Sequence, residues 1–70
     1  MNVILYSNHC PKCNVLEKKL KTKNIDYEEV NDVEIMKEKG YLMLPVLEVD
    51  GVSMEYKTAN DWINSQEANN

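Results

Sequence analysis

Residues 7–13 read Ser7-Asn8-His9-Cys10-Pro11-Lys12-Cys13, and this stretch decides the fold. It contains both cysteines of the 70-residue chain, separated by two residues. An apolar run, residues 3–6, precedes the stretch, and a helical pattern follows it. A strand, a short turn and a helix that begins at a Cys-x-x-Cys form the arrangement that thiol–disulfide exchange requires.

The spacing of the two cysteines has a chemical reason. Cys10 would lie at or near the N-cap of the helix and Cys13 one turn further in, so that the sulfurs can bond to each other. The unpaired amides of a helix N-terminus favour a thiolate, and the pKa of cysteines in such motifs falls from about 8.5 to roughly 3.5–7.5. Pro11 suits the first helical position, and Lys12 adds positive charge near the sulfur. We therefore predict that Cys10 attacks a disulfide and that Cys13 resolves the mixed disulfide.

Other interpretations of the cysteine pair stay open. A structural disulfide is disfavoured, because a bridge closing so small a loop removes little chain entropy. The main alternative is a small metal-binding or metal-delivery protein that uses this pair. Structural zinc requires four ligands, whereas the chain offers one pair and a single histidine, His9, whose position next to Cys10 makes joint chelation awkward. A second chain would have to complete the set, and we predict no metal ligands. In a further alternative, the cysteines are incidental to an interaction module.

Composition and charge restrict the class of protein. The hydrophobic fraction of 43% and the charged fraction of 29% are typical of a soluble globular domain. A net charge of −4 argues against nucleic acid as a partner. No apolar run approaches the roughly 20 residues of a membrane span, and the N-terminus lacks the pattern of a signal peptide. Two neighbouring cysteines without a wider framework indicate a reducing compartment, so we expect a cytoplasmic monomer.

Hydrophobic patterning predicts seven elements in the order β-α-β-α-β-β-α. The predicted strands cover residues 3–6, 25–30, 46–49 and 52–56. The predicted helices cover residues 11–24, residues 33–39 and a last segment that begins with Thr58 as N-cap and ends near Ser65. The first half forms a parallel βαβ unit with a right-handed connection, and Asp50-Gly51 closes a hairpin in the second half. The expected fold is therefore α/β, with a mixed four-stranded sheet flanked by helices.

The pattern also predicts which side chains are buried and where the domain ends. On the first helix, Cys13, Leu16 and Leu20 recur on one face that we expect to be buried. Lysines occupy the rest of that helix, as a solvated surface or as a docking surface for an acidic partner. On the second helix, Val33 and Met36 are expected to face inward. One domain should cover residues 1–66, followed by a polar, frayed tail at 67–70.

This pattern resembles the thioredoxin superfamily, and within it the glutaredoxins and glutaredoxin-like redoxins. Three features carry the resemblance over essentially the whole chain. A Cys-Pro-Lys-Cys opens the first helix, Leu44-Pro45 immediately precedes the third strand, and Asp50-Gly51 closes the last hairpin. The resemblance implies a minimal thioredoxin fold and a redox-active disulfide that takes part in electron transport. It also implies a cis-proline at Pro45 beside the sulfurs, and a Leu44 backbone that binds an extended substrate as an added strand does.

The same resemblance leaves the electron donor open. Many glutaredoxins grip glutathione with a Gly-Gly between the last strand and the last helix, where this chain has no glycine. Lys57, the Thr58 hydroxyl and the first amides of the last helix could still receive a carboxylate, so glutathione is a candidate co-substrate, with no cofactor bound. Related redoxins that reduce ribonucleotide reductase lack a full glutathione site and are recycled by thioredoxin reductase. The resemblance therefore implies a dithiol–disulfide oxidoreductase for protein disulfides, with ribonucleotide reductase as a candidate substrate and glutathione or thioredoxin reductase as donor.

Overall fold

A computed structural model describes residues 1–66, and the predicted tail at 67–70 lies outside the described residues. The elements follow the predicted order: β1 (Val3–Tyr6), α1 (Pro11–Thr22), β2 (Glu28–Val30), α2 (Val33–Glu38), β3 (Val46–Val49), β4 (Val52–Met54) and α3 (Tyr56–Ser65). The strands form one sheet in the order β2-β1-β3-β4. β1 pairs parallel with β2 and antiparallel with β3, and β3 pairs antiparallel with β4. The predicted mixed sheet is therefore confirmed.

The sheet carries a core on each face, because successive strand residues point to opposite sides. On β1, Val3 and Leu5 join the larger core, while Tyr6 joins a smaller one on the other face. α1 and α3 contribute to the larger core through Leu16, Leu20, Ala59 and Ile63. α2 contributes Met36 to the smaller core. All four residues of the central strand β3 are buried as a result.

The second strand was predicted to begin at residue 25, but it begins at Glu28. The reason lies in how α1 ends. Asn24 adopts a left-handed conformation, with φ of 55°, and its N–H donates to the Lys21 carbonyl at 3.0 Å. The N–H of Ile25 reaches back to the Leu20 carbonyl at 2.9 Å. These two bonds form a Schellman motif, whose apolar contact joins Ile25 and Leu20 in the larger core. Ile25 thus ends the helix and is not available to the sheet.

The boundary between β4 and α3 is a second correction. The prediction placed a strand over residues 52–56 and an N-cap at Thr58, whereas Glu55 is the N-cap and Tyr56 the first helical residue. Helical bonding already begins with the Ala59 N–H, which donates to the Glu55 carbonyl at 2.8 Å. Tyr56 packs against the larger core from this first turn, which requires the chain to leave the sheet earlier than its alternation suggests. Thr58 therefore lies within the first turn of α3.

α2 differs from the prediction in the placement of Val33. Met36 is buried as expected, and Gly40 follows the helix with φ of 75°. Val33, by contrast, is 57% exposed, so its predicted inward orientation is wrong. A helix of six residues covers little of the sheet, and Met36 alone supplies its buried contact. The side chain of Val33 instead lines a groove beside Cys10.

The helices of residues 1–66 include none that is both long and apolar enough to cross a membrane.

A buried carboxylate, Glu48, lies on β3 and faces the smaller core. The Tyr41 hydroxyl donates to its Oε2, and the Lys39 ammonium lies 3.1 Å from the same atom. Lys39 also lies over the rings of Tyr6 and Tyr41, at 5.6 and 6.0 Å from their centroids. The hydrogen bond from Tyr41, together with Lys39, holds the pKa of Glu48 below its ordinary value despite the opposing effect of burial.

This network predicts a pH-dependent stability. Because the folded-state pKa of Glu48 lies below its ordinary value of about 4.5, the ionised carboxylate stabilises the fold above that pH. The stabilisation is lost as the pH falls through the folded-state pKa. We expect Glu48→Gln to lower the free energy of unfolding by about 1–3 kcal/mol at neutral pH. Urea unfolding at about pH 7 and pH 3 should show the difference from the parent protein shrinking in acid. An equal difference at both pH values, or the same behaviour in the exposed control Glu28→Gln, would contradict this assignment.

Candidate active site

The cysteine pair lies where the sequence places it, at the start of α1. Cys10 is the N-cap and Pro11 the first helical residue. Cys10 and Cys13 form a disulfide, with their Cα atoms 5.0 Å apart, and the Cys13 N–H donates to the Cys10 sulfur at 3.1 Å. Cys13 is fully buried, whereas Cys10 is partly exposed. An incoming molecule can therefore reach Cys10, which lines a surface groove, but not Cys13.

The turn before the helix is held by side chains that the sequence analysis did not assign to the site. The Asn8 side-chain oxygen accepts the Cys10 N–H at 3.2 Å and lies 3.6 Å from the Cys13 sulfur. The buried Ser7 hydroxyl accepts the N–H of His9 at 3.0 Å, and His9 itself has a φ of 63°. Asparagine and serine each bind a backbone N–H two residues ahead in such turns. That spacing was the available signal for Asn8, and the interaction fixes the position of Cys10.

The proline loop meets the cysteine turn at Leu44. The Leu44–Pro45 peptide bond is cis, as the resemblance implies, and Pro45 is buried. The carbonyl oxygen of Leu44 lies 4.0 Å from the Cys10 sulfur. The backbone of this residue therefore lies directly beside the atom that the sequence identifies as the nucleophile.

Two grooves flank the contact between Cys10 and Leu44, and Leu44 lines both of them. The first, which we call the α3 groove, is lined chiefly by Lys12, Met43, Leu44, Pro45, Tyr56 and Lys57. The second, which we call the α2 groove, is lined chiefly by Asn8, Cys10, Val33, Lys37, Leu42 and Leu44. Cys10 thus lines the α2 groove directly, and Leu44 connects it to the α3 groove.

The α3 groove contains only some of the residues predicted to bind substrate or glutathione, which were Leu44, Pro45, Lys57 and Thr58. Lys57 lines it, whereas Thr58 does not. The Lys12 ammonium lies 5.3 Å from the centroid of the Tyr56 ring, which ties the first turn of α1 to the first turn of α3. Within residues 1–66, no side chain caps the N-terminus of α3, so the first amides of this helix lack a side-chain acceptor. Tyr56 was missed as a site residue because the alternation of residues 52–56 suggested a strand.

A possible set of metal-ligating side chains lies beside the cysteine turn and does not include the cysteines. Ligand atoms of His9, Glu17 and Glu29 all lie within 4.8 Å of one another, and His9 Nδ1 is 3.8 Å from Glu29 Oε2. Glu17 also acts on a neighbouring phenol: burial, as the largest cause, and the charge of Glu17, as the second, raise the pKa of Tyr27 to about 12. Lys21 also lies 3.6 Å from Glu17. The only histidine of the chain therefore associates with carboxylates and not with the sulfurs.

Fold and site together define the class of structure: the domain has a thioredoxin-like fold, with a disulfide at the start of its first helix. Among solved structures, the chain is similar to NrdH-redoxin from Escherichia coli, described as a glutaredoxin-like protein with a thioredoxin-like activity profile. The two chains are 22% identical and match over 100% of each, with a TM-score of 0.74. The likeness confirms the fold that the resemblance implied. No family model matches the sequence, and the curated proteins contain no significant match.

Proposed function

We propose that the protein is a thiol–disulfide oxidoreductase that reduces disulfides in other proteins. The observation that carries this proposal is the partly exposed Cys10, whose sulfur accepts a helix N–H and is bonded to a fully buried partner. A sulfur in this position is reactive as a thiolate, because the helix amides favour negative charge there. A purely structural bridge would have no need of a partly exposed cysteine that lines a groove beside the Leu44 carbonyl.

The reaction proceeds in two exchange steps, starting from the reduced protein. The Cys10 thiolate attacks one sulfur of the substrate disulfide, forms a mixed disulfide and releases the other substrate sulfur as a thiolate, which takes up a proton. The Cys13 thiol then gives its proton to water, and the resulting thiolate attacks the Cys10 sulfur of the mixed disulfide. This step restores the Cys10–Cys13 disulfide and releases the second substrate sulfur as a thiolate, which takes up a proton. Two electrons have then passed from the protein to the substrate, and Leu44 holds the substrate backbone beside Cys10.

The proposed electron donor is a thioredoxin reductase, and the proposed setting is the reducing cytoplasm. The structurally similar NrdH-redoxin is described by its thioredoxin-like activity profile, which supports this choice by analogy. The absence of Thr58 from the α3 groove weakens the case for glutathione, which would have only Lys57 and the uncapped amides of α3 to bind its carboxylates. Ribonucleotide reductase is the candidate protein substrate that the resemblance suggests.

A donor assay tests both the activity and this choice. The oxidised protein is offered thioredoxin reductase with NADPH or, separately, glutathione with its own reductase and NADPH, and NADPH consumption is followed in the presence of a protein disulfide. We expect turnover with thioredoxin reductase at least about tenfold above that with glutathione. Faster turnover with glutathione would reverse the donor assignment. No turnover with either donor, and no reduction of a disulfide by the chemically reduced protein, would contradict the proposed function.

The metal-binding alternative makes a different prediction for the same site. It requires the reduced cysteines to bind an ion together with ligands from a second chain, because His9 lies among carboxylates. Native mass spectrometry of the reduced protein distinguishes the two, since the oxidoreductase needs no bound metal for either exchange step.

A further inference from the structure

The surface around Cys10 exposes three large apolar side chains, those of Val33, Leu42 and Met43. In the part of the chain that the structure describes, the two most exposed of these are consecutive, Leu42 at 93% and Met43 at 83%. Leu42 lines the α2 groove together with Val33, and Met43 lines the α3 groove. Single exposed apolar residues are ordinary on a protein surface, but a group of them around one site marks an interaction surface.

The same two grooves carry positive charge in a chain whose net charge is −4. Lys37 lines the α2 groove, Lys12 and Lys57 line the α3 groove, and Glu55 is the one carboxylate among the lining residues. Across residues 1–66, none of these three ammonium groups lies within ion-pair distance of a carboxylate. No carboxylate therefore neutralises these three charges by direct contact, although Lys12 lies over the Tyr56 ring, and their sign is opposite to that of the whole chain.

We infer that the substrates of this site are extended acidic segments that carry a large apolar side chain beside the cysteine to be reduced. The inference rests on the proposed function and adds the chemistry of the partner. A segment that lies along the backbone of Leu44, with its cysteine at Cys10, directs neighbouring side chains to alternate sides. Those side chains reach the two grooves, where Leu42 and Met43 supply apolar contacts and the lysines supply complementary charge. Charge complementarity of this kind acts mainly on the rate of encounter and on the choice between partners.

Four symmetric peptide disulfides of equal length test this inference. Each peptide has either glutamate or lysine at its flanking positions, and either leucine or serine next to the cysteine, so that the four peptides cover every combination. Second-order rate constants for oxidation of the reduced protein are measured by acid quench and mass spectrometry, and each is divided by the rate with hydroxyethyl disulfide. We expect the acidic, leucine-containing peptide to react at least about tenfold faster than the basic, serine-containing one. About 0.5 M salt should reduce the effect of charge and leave the effect of leucine in place.

Variants assign the two preferences to their residues. Leu42→Ser and Met43→Ser should each lower the preference for leucine, and Lys37→Gln and Lys57→Gln should lower the preference for acidic flanks. Val52→Ser, which removes an exposed apolar side chain on β4 outside both grooves, is the matched control and should change neither preference. Equal rates with all four peptides, or a preference for basic ones, would overturn the inference while leaving the proposed function intact. Failure to reduce any of these disulfides, hydroxyethyl disulfide included, would overturn the proposed function and this inference with it.

Discussion

Replacing Cys10 with serine is expected to lower disulfide reduction by at least about 1000-fold, because the variant has no sulfur that a substrate can reach. The remaining cysteine, Cys13, is fully buried beneath the turn. Serine is a favoured N-cap residue, and its hydroxyl can accept the Cys13 N–H that the sulfur accepts in the native protein. The start of α1 should therefore survive the substitution, so that the loss reports on chemistry and not on folding.

Replacing Cys13 with serine should have a different outcome. The first exchange still occurs, but no thiol remains to resolve its product, so a covalent complex between Cys10 and the substrate accumulates. Serine places a hydroxyl in a fully buried position, which costs about 1–3 kcal/mol if the hydroxyl finds no partner. Cys13→Ala, which avoids the buried hydroxyl, should trap the same complex.

Mass spectrometry of the products separates the two roles. Each variant is incubated with a peptide disulfide and digested without reduction, and Val52→Ser serves as the control that keeps both cysteines. We expect a stoichiometric mixed disulfide at Cys10 in both Cys13 variants and none in Cys10→Ser. Substantial reduction by Cys10→Ser, or a mixed disulfide at Cys13, would show that the assignment of roles is wrong.

Features set by local chemistry were predictable from the sequence. The cysteine turn follows from the spacing of Cys10 and Cys13 and from Pro11 at the first helical position. The last hairpin follows from Asp50-Gly51, both of which adopt positive φ, at 49° and 86°. In each case, neighbouring residues alone determine the backbone, so a single sequence carries the information.

Features set by contacts between distant segments were not predictable in the same way. The start of α3 depends on Tyr56, which packs on the core and contacts Lys12 from α1. The placement of Val33 beside Cys10 depends on how α2 lies against the sheet. The network at Glu48 joins a strand residue to Tyr41 and Lys39, and it becomes visible only when the central strand is known to be buried on both faces. Periodicity within one segment does not contain these relations.

The wrong boundary for the second strand arose because a local signal, present in the sequence, was overlooked. Residues 25–30 have the composition of an edge strand, but Ile25 closes the Schellman motif of α1 and packs with Leu20. The signal was present in Asn24, a residue that tolerates left-handed backbone and that precedes an apolar residue. An apolar residue directly after such a helix end favours capping of the helix over strand formation.

The pH dependence of alkylation of the reduced protein tests the central claim most directly, with the modified cysteine identified by mass spectrometry. Cys10 is the N-cap of α1, and its sulfur accepts the Cys13 N–H. We therefore expect the rate of Cys10 modification by iodoacetamide to rise with pH with a midpoint below about pH 7.5. Cys13, being fully buried, should react at least about tenfold more slowly throughout. A midpoint near that of an ordinary thiol, about 8.5, or equal modification of the two cysteines, would contradict an accessible, helix-stabilised thiolate at Cys10.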